Sequence, residues 1–291
     1  MGTCTPSLKR SVTGASGTSV PLQTKGFLFR DPHLVAVDKP PGLLVHRTDL
    51  ARTEQEFAVQ QVRDQIGQRV YPAHRLDRGT SGVLLFGLLP EVAQRLGAAF
   101  EGREVRKTYL GVVRGHPPEA GEIDHALRRR PDEREGPRGS RWSPAAERTG
   151  AQPGHAPPPS PGALRSGGRA DTEEAQPALT RYRRLAVVEL DTPVDRYPTA
   201  RYALLELEPV TGRRHQLRRH LKHISHPLIG DATYGKARHN RFFQEFLGCR
   251  RLLLACAELR FSHPLTGCPV VITAPLTGEF AEVMRRFGWG E

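Results

Sequence analysis

Hydrophobic residues recur along this chain with two periods, and the periods separate strands from helices. In "LVAVDKPPGLLVHR", 34–47, two apolar runs flank a Pro-Pro-Gly turn, which predicts strand, turn, strand. "TEQEFAVQQVRDQIG", 53–67, predicts a helix: Val59, Val62 and Ile66 share a face, and Thr53 and Glu56 have capping-box spacing. A second helix is expected in "PEVAQRLGAAFEG", 90–102, with Val92, Leu96 and Phe100 on one face and Gly102 as its stop. Before it, Val83-Leu84-Leu85-Phe86 reads as a buried strand fed by the tight loop Thr80-Ser81-Gly82. "VRKTYLGVVRG", 105–115, is a strand on which Lys107 and Tyr109 point to the same side. "RYALLELEP" alternates as a half-buried strand, Thr211-Gly212 turns the chain, and "RRHQLRRHLKHI", 213–224, is a helix. Strands with short turns and interspersed helices predict an α+β domain with a largely antiparallel sheet.

Two stretches break this pattern. Residues 1–25 are expected to be an unstructured extension, and a Pro-, Gly-, Ser- and Arg-rich segment at about 130–177 lacks apolar periodicity. The second is read as an insertion within one catalytic domain, 26–291, because its flanks look like parts of one fold and a linker would need a self-sufficient first domain. The low hydrophobic fraction, 37%, with 25 prolines and 29 glycines, agrees with such segments.

Composition then narrows the function. A formal charge of +12 favours an anionic partner, of which nucleic acid is the commonest. The four cysteines, Cys4, Cys249, Cys256 and Cys268, form no CxxC pair and read as reduced thiols. No apolar run is long enough to span a membrane, and no secretory core stands at the N-terminus, so a cytoplasmic location is expected. The Ser- and Thr-rich, acid-poor start also fits an organelle transit peptide; an ordinary extension is the preferred reading.

Three places carry candidate chemistry. Asp77, in "YPAHRLDRGTSGVLLFG", sits in the loop before the buried strand. There a carboxylate is either a loop acid bonded to its own backbone or, if poorly solvated and kept ionised by an arginine, a nucleophile. The 213–224 helix has an apolar stripe, Leu217, Leu221 and Ile224, and a basic stripe, Arg214, Arg218 and Lys222, which either faces solvent or meets phosphate. Tyr109 either fills the core or stacks on a base. His215, His220, His223 and His226 lack the acid or cysteine that completes a ligand set, so no metal is expected.

Taken together these segments resemble one family. "HRLDRGTSG", 74–82, resembles the H-R-L-D-x-x-T-S-G signature of RluA-type pseudouridine synthases at every fixed position. "GRRHQLRRHLKHISHPLIGDATYG", 212–235, is similar to the family's second signature, "RKTYLGVVRG" to its K-x-Y strand and "VAVDKPPGLLVH" to its opening K-P-x-G segment. Ser225 stands where the family often has glycine. The resemblance runs from about 26 to 289, apart from the insertion, with no separate RNA-binding domain ahead of it. It implies the pseudouridine synthase catalytic fold, with a central, largely antiparallel mixed sheet flanked by helices and loops, and isomerisation of uridine in RNA without cofactor or metal. By resemblance Asp77 is the nucleophile, Tyr109 packs on the target uracil and helps remove the C5 proton, and Arg218 pairs with the acid. Arg75 belongs to base flipping, with His74, Lys107, Arg214 and Lys222 as further RNA contacts; Arg78 falls at a variable position. Within the family the likeness is to enzymes acting on tRNA, which implies uridine 65 in the T-stem region and a monomer. Ribosomal RNA is the alternative target, and a catalytically silent RNA-binding protein the rival function.

Overall fold

The structure, a computed structural model, describes residues 26–46, 56–128 and 174–290. Among them ten strands form one sheet: β1 (Phe29–Arg30), β2 (Leu34–Lys39), β3 (Tyr71–Pro72), β4 (Ser81–Gly87), β5 (Arg106–Arg114), β6 (Ala120–Asp124), β7 (Leu179–Leu190), β8 (Ala200–Pro209), β9 (Leu254–Ser262) and β10 (Pro269–Thr273). Their order is β1-β2-β4-β9-β5-β8-β7-β6, with β3 beside β4 and β10 beside β9. Every pairing is antiparallel except β4 with β9. Five helices accompany the sheet: α1 (Ala58–Ile66), α2 (Pro90–Glu101), α3 (Gln216–His223), α4 (Ala237–Phe246) and α5 (Gly278–Arg286). The protein is α+β with a mixed, mostly antiparallel sheet, as its pattern predicts.

Burial explains where each helix lies. All seven residues of β4 are buried, as a strand covered on both faces requires. Val62 of α1 and Val92 and Leu96 of α2 join β2 and β4 in one cluster. Phe243 of α4 and Phe280 and Val283 of α5 pack on Val112 and Tyr202. Leu217 and Leu221 of α3 cover Val113, Leu205 and Leu207. Among the described residues no helix is long and apolar enough to cross a membrane.

The structure shortens three expected elements. The strand after Pro-Pro-Gly reduces to an isolated parallel bridge, Leu44 to Phe57. Phe57 is 3% exposed and keeps extended backbone, so α1 starts only at Ala58; Thr53 of the expected capping box lies outside the described residues. α3 starts at Gln216 rather than Arg213. The Gln216 amide folds back, accepting the Thr211 hydroxyl at 2.6 Å and the Arg213 N–H at 3.0 Å, which holds the preceding residues in a turn. Arg214 therefore precedes the helix, and the continuous Arg214, Arg218, Lys222 stripe does not form.

The flanks of the low-complexity segment meet. β6 pairs with β7 from Ala120↔Arg183 to Asp124↔Leu179, and Leu127 and Gln176 exchange two backbone hydrogen bonds of 2.9 and 3.1 Å. Residues 1–25 and 129–173 lie outside the described residues.

One glycine is indispensable to the sheet. Gly82 has φ +103°, and a Cβ there would sit 2.1 Å from the carbonyl oxygen of Cys256 where β4 meets β9. Gly82→Ala is expected to cost about 2–4 kcal/mol, measured by urea unfolding. An unchanged midpoint would show that this crossing is soft.

Candidate active site

The loop that carries Asp77 is fixed from behind. The Thr80 N–H donates to the Asp77 carbonyl at 3.0 Å, closing a tight turn. Gly42 of the Pro-Pro-Gly turn donates its N–H to the Arg78 carbonyl at 2.7 Å, and Arg78 Nε returns a bond to the Gly42 carbonyl at 3.0 Å. Beneath them Lys39, 0% exposed, donates from Nζ to the carbonyls of Leu43 (2.8 Å), Pro40 (2.9 Å) and Arg78 (3.2 Å). Burial and the nearby Arg251 charge pull its ammonium down to about 7, against the upward pull of Asp77 and Asp38. Arg78 is thus a loop fastener.

His74 serves the same loop. Its Nε2 accepts the Leu85 N–H at 3.1 Å, and its ring stacks on Phe100 at 4.7 Å. Burial, reinforced by the Lys107 charge, depresses the imidazole to about 3, so it is neutral. The ring lines the groove, and with Nε2 occupied by the backbone it also positions the Asp77 loop.

On the open side, Asp77 meets an arginine 141 residues away. Arg218 Nη1 donates to Asp77 Oδ2 at 3.3 Å. The same guanidinium grips Asp231 through Nε (2.8 Å) and Nη2 (2.9 Å). Burial works to raise the Asp231 pKa, but Arg218 and the backbone N–H groups of Tyr234 and Thr233 outweigh it and hold the carboxylate below its usual range. The two aspartates likewise keep Arg218 firmly protonated against burial. His215, with φ +53°, places Nε2 3.8 Å from Asp77 Oδ1 and Nδ1 3.2 Å from the Tyr234 hydroxyl. Each oxygen of Asp77 thus faces a nitrogen whose other side rests on the 231–234 turn.

Tyr109 is half-buried on β5, at an irregularity in its register with β9 that sets it opposite Cys256. Burial pushes its hydroxyl pKa well above the ordinary tyrosine range, and a hydrogen bond with the Cys256 thiol adds to the rise. Its side chain lines the same groove as Asp77.

Asp77, Tyr109 and Arg218 line one groove of about 930 Å³. Arg75, Lys107 and Arg214 line it too, with Arg103, Arg128, Arg213 and Arg219, against the acids Asp77 and Glu101. Lys222 is exposed, lies outside this lining, and holds Nζ 5.9 Å from the Tyr234 ring. The remaining histidines serve structure: His220 Nε2 lies 3.0 Å from the His125 carbonyl, and His125 stacks on His223 at 3.7 Å. Sequence reasoning passed over His215, Asp231, Tyr234 and Lys39. All four stand inside the quoted motifs, in "RRHQL", "IGDATYG" and "VDKPPG", which was the available signal.

A carboxylate set by a buried arginine at the floor of a basic groove suits acid-dependent chemistry on a polyanion. Residues 33–223 match the family model described as RNA pseudouridylate synthase, and the chain belongs to that family of uridine-isomerising enzymes. It is 45% identical over 262 residues to the tRNA pseudouridine synthase C of Pectobacterium carotovorum, covering 90% of this chain and 62% of that protein. The Salmonella typhi protein of the same name is also 45% identical, with 90% of this chain and 89% of the relative covered. The solved structure of human RNA pseudouridylate synthase domain containing 1 superposes with a TM-score of 0.59 at 25% identity, covering 89% of this chain and 86% of that one.

Two stability predictions follow from this geometry. Arg218→Met leaves the Asp231 side chain, 0% exposed, charged and unpaired, and is expected to cost roughly 3–5 kcal/mol in urea unfolding; a loss under 1 kcal/mol would contradict the triad's structural role. For Lys39, the folded pKa of about 7 lies below its unfolded value, so between those pH values the unfolded chain binds the extra proton. Stability should therefore rise with pH from about 7 toward 10 more steeply in the wild type than in Lys39→Met. Parallel pH dependences would refute the shift.

Proposed function

We propose that this chain converts uridine 65 of tRNA to pseudouridine, with Asp77 as the nucleophile. The observation that carries the reading is the carboxylate of Asp77 at the groove floor, one oxygen bonded to Arg218 and the other facing the His215 ring. An acid so held presents an oriented lone pair to a nucleotide lifted out of its stack. Attack at C1′ of the ribose breaks the bond to N1, and attack at C6 of the base leads to the same exchange. The uracil turns, C5 bonds to C1′, the C5 proton leaves and N1 gains one, so atoms balance without oxidant or metal. Tyr109 offers its ring to the uracil, and Arg75, exposed at the rim, is placed to fill the space vacated in the stack. The choice of tRNA is supported by the names of the relatives, whose similarity covers nine-tenths of this chain.

The test has two parts. Asp77→Asn should lower pseudouridine formation on a tRNA transcript by roughly 10³-fold or more while retaining most tRNA affinity. Turnover near the wild-type rate would remove Asp77 from the chemistry. Pseudouridine mapping of total RNA, with and without the protein, should show position 65 of tRNA alone responding. A mark lost from ribosomal RNA with position 65 unchanged would reassign the substrate.

A further inference from the structure

On the α2 side of the groove two cations stand close together. Arg103 and Lys107 both line the cavity, and among the described residues neither side chain forms a hydrogen bond or an ion pair. The carboxylate nearest in charge, Glu208, is committed to Arg106 at 3.0 Å. Burial lowers the Lys107 pKa and the Arg103 charge lowers it further, against the upward pull of Cys256 and Glu208, so the two cations repel each other. A groove wall that presents two adjacent cations suits a phosphate.

The backbone at Arg103 points the same way. α2 ends in a Schellman closure: the Glu104 N–H donates to the Ala99 carbonyl at 2.9 Å and the Arg103 N–H to the Phe100 carbonyl at 3.3 Å. The residue in the left-handed position of that closure is ordinarily glycine. Here it is Arg103, with φ +64°, although a glycine is adjacent at 102. A strained arginine kept at a cavity wall is a reason to look for a ligand. The competing explanation, a cation that only complements the helix C-terminus, predicts no effect on ligand binding.

We propose that Arg103 and Lys107 form a phosphate subsite for the RNA backbone, beside the Asp77 pocket. This rests on the reading of the chain as an RNA-modifying enzyme. Lys107 and Tyr109 are two residues apart on one face of β5, about 7 Å along the strand. A phosphate on Lys107 therefore belongs to a nucleotide next to the one lying on Tyr109. The neutral His74–Phe100 stack walls the subsite without competing for the anion.

Arg103→Gly separates the two explanations, because glycine keeps the left-handed turn and relieves its strain. The variant should melt at or above the wild-type temperature yet bind tRNA roughly tenfold more weakly. The slope of log K against log salt should fall by about one, and Arg103→Lys should recover part of both. In a hairpin RNA carrying single methylphosphonates, one substitution beside the target should weaken wild-type binding and leave Arg103→Gly indifferent. Unchanged affinity and salt slope in Arg103→Gly, or equal sensitivity of both proteins to every methylphosphonate, would overturn the subsite. Thermal protection of wild type but not Arg103→Gly by inorganic phosphate, with equal RNA affinities, would assign it to free phosphate and overturn the RNA claim. Pseudouridine formation by the wild type is assayed alongside: its absence would refute the underlying function, whereas normal turnover with an inert Arg103 refutes only the subsite.

Discussion

The guanidinium of Arg218 is the interaction on which the site depends. It is planar, permanently charged and presents donors along two edges, so it can grip Asp231 with two of them and still reach Asp77 with a third. A lysine in that place offers a point charge and loses the geometry. Burying such a group costs more than a lone ion pair returns. The cost is offset because Asp231 is itself saturated, accepting the Thr233 and Tyr234 N–H groups as well as Arg218. The turn at 231–234 thus acts as an anchor, and α3 transmits its position to the carboxylate of Asp77.

The second constraint is the single parallel contact in the sheet. Where β4 meets β9, Gly82 lies against the backbone of Cys256, whose neighbour across β5 is Tyr109. The loop bearing Asp77 and the ring of Tyr109 are therefore registered against the same residue of β9. Cys256 is fully buried and its thiol is pushed up to about 12, first by burial, so it serves as a spacer with one weak hydrogen bond and has no thiolate chemistry. Lys39 completes the arrangement from below, satisfying three carbonyls of two turns that no strand can reach.

What could be read in advance follows from the range of the interactions concerned. β2, β4, β5, β8, α2 and most of α3 announce themselves through local periodicity, and the sheet class follows from them. β7, β9, β10, α4 and α5 were not assigned at all. β7 alternates buried and exposed residues over its first half, but arginines occupy its outward positions and mask the pattern. The start of α3 was misplaced because Gln216 bonds Leu179 and Thr180, partners invisible from a helix wheel. At the site, Asp77, Tyr109 and Arg218 were legible only through co-ordered motifs. Locally Asp77 favoured an ordinary loop acid among adjacent arginines, and the arginine that binds it is 141 residues distant. For His74 and Lys222 charge type is visible in the sequence and direction is not: the first lines the groove and the second lies outside that lining.

The described flanks of the low-complexity segment are tied to the site. Its flanks are pinned before it begins, by the Leu127–Gln176 bridge and by two arginines at the start of α3. Arg219 Nη2 donates to the Arg128 carbonyl at 2.8 Å, and Arg213 Nε to the Pro177 carbonyl at 3.2 Å. The same helix carries Arg218 inward and, through Arg219, holds the hairpin root outward, so the far wall of the groove, at Leu127, Arg128 and Gln176, is tied to the element that positions Asp77. A change at the hairpin root therefore reaches Asp77 through α3.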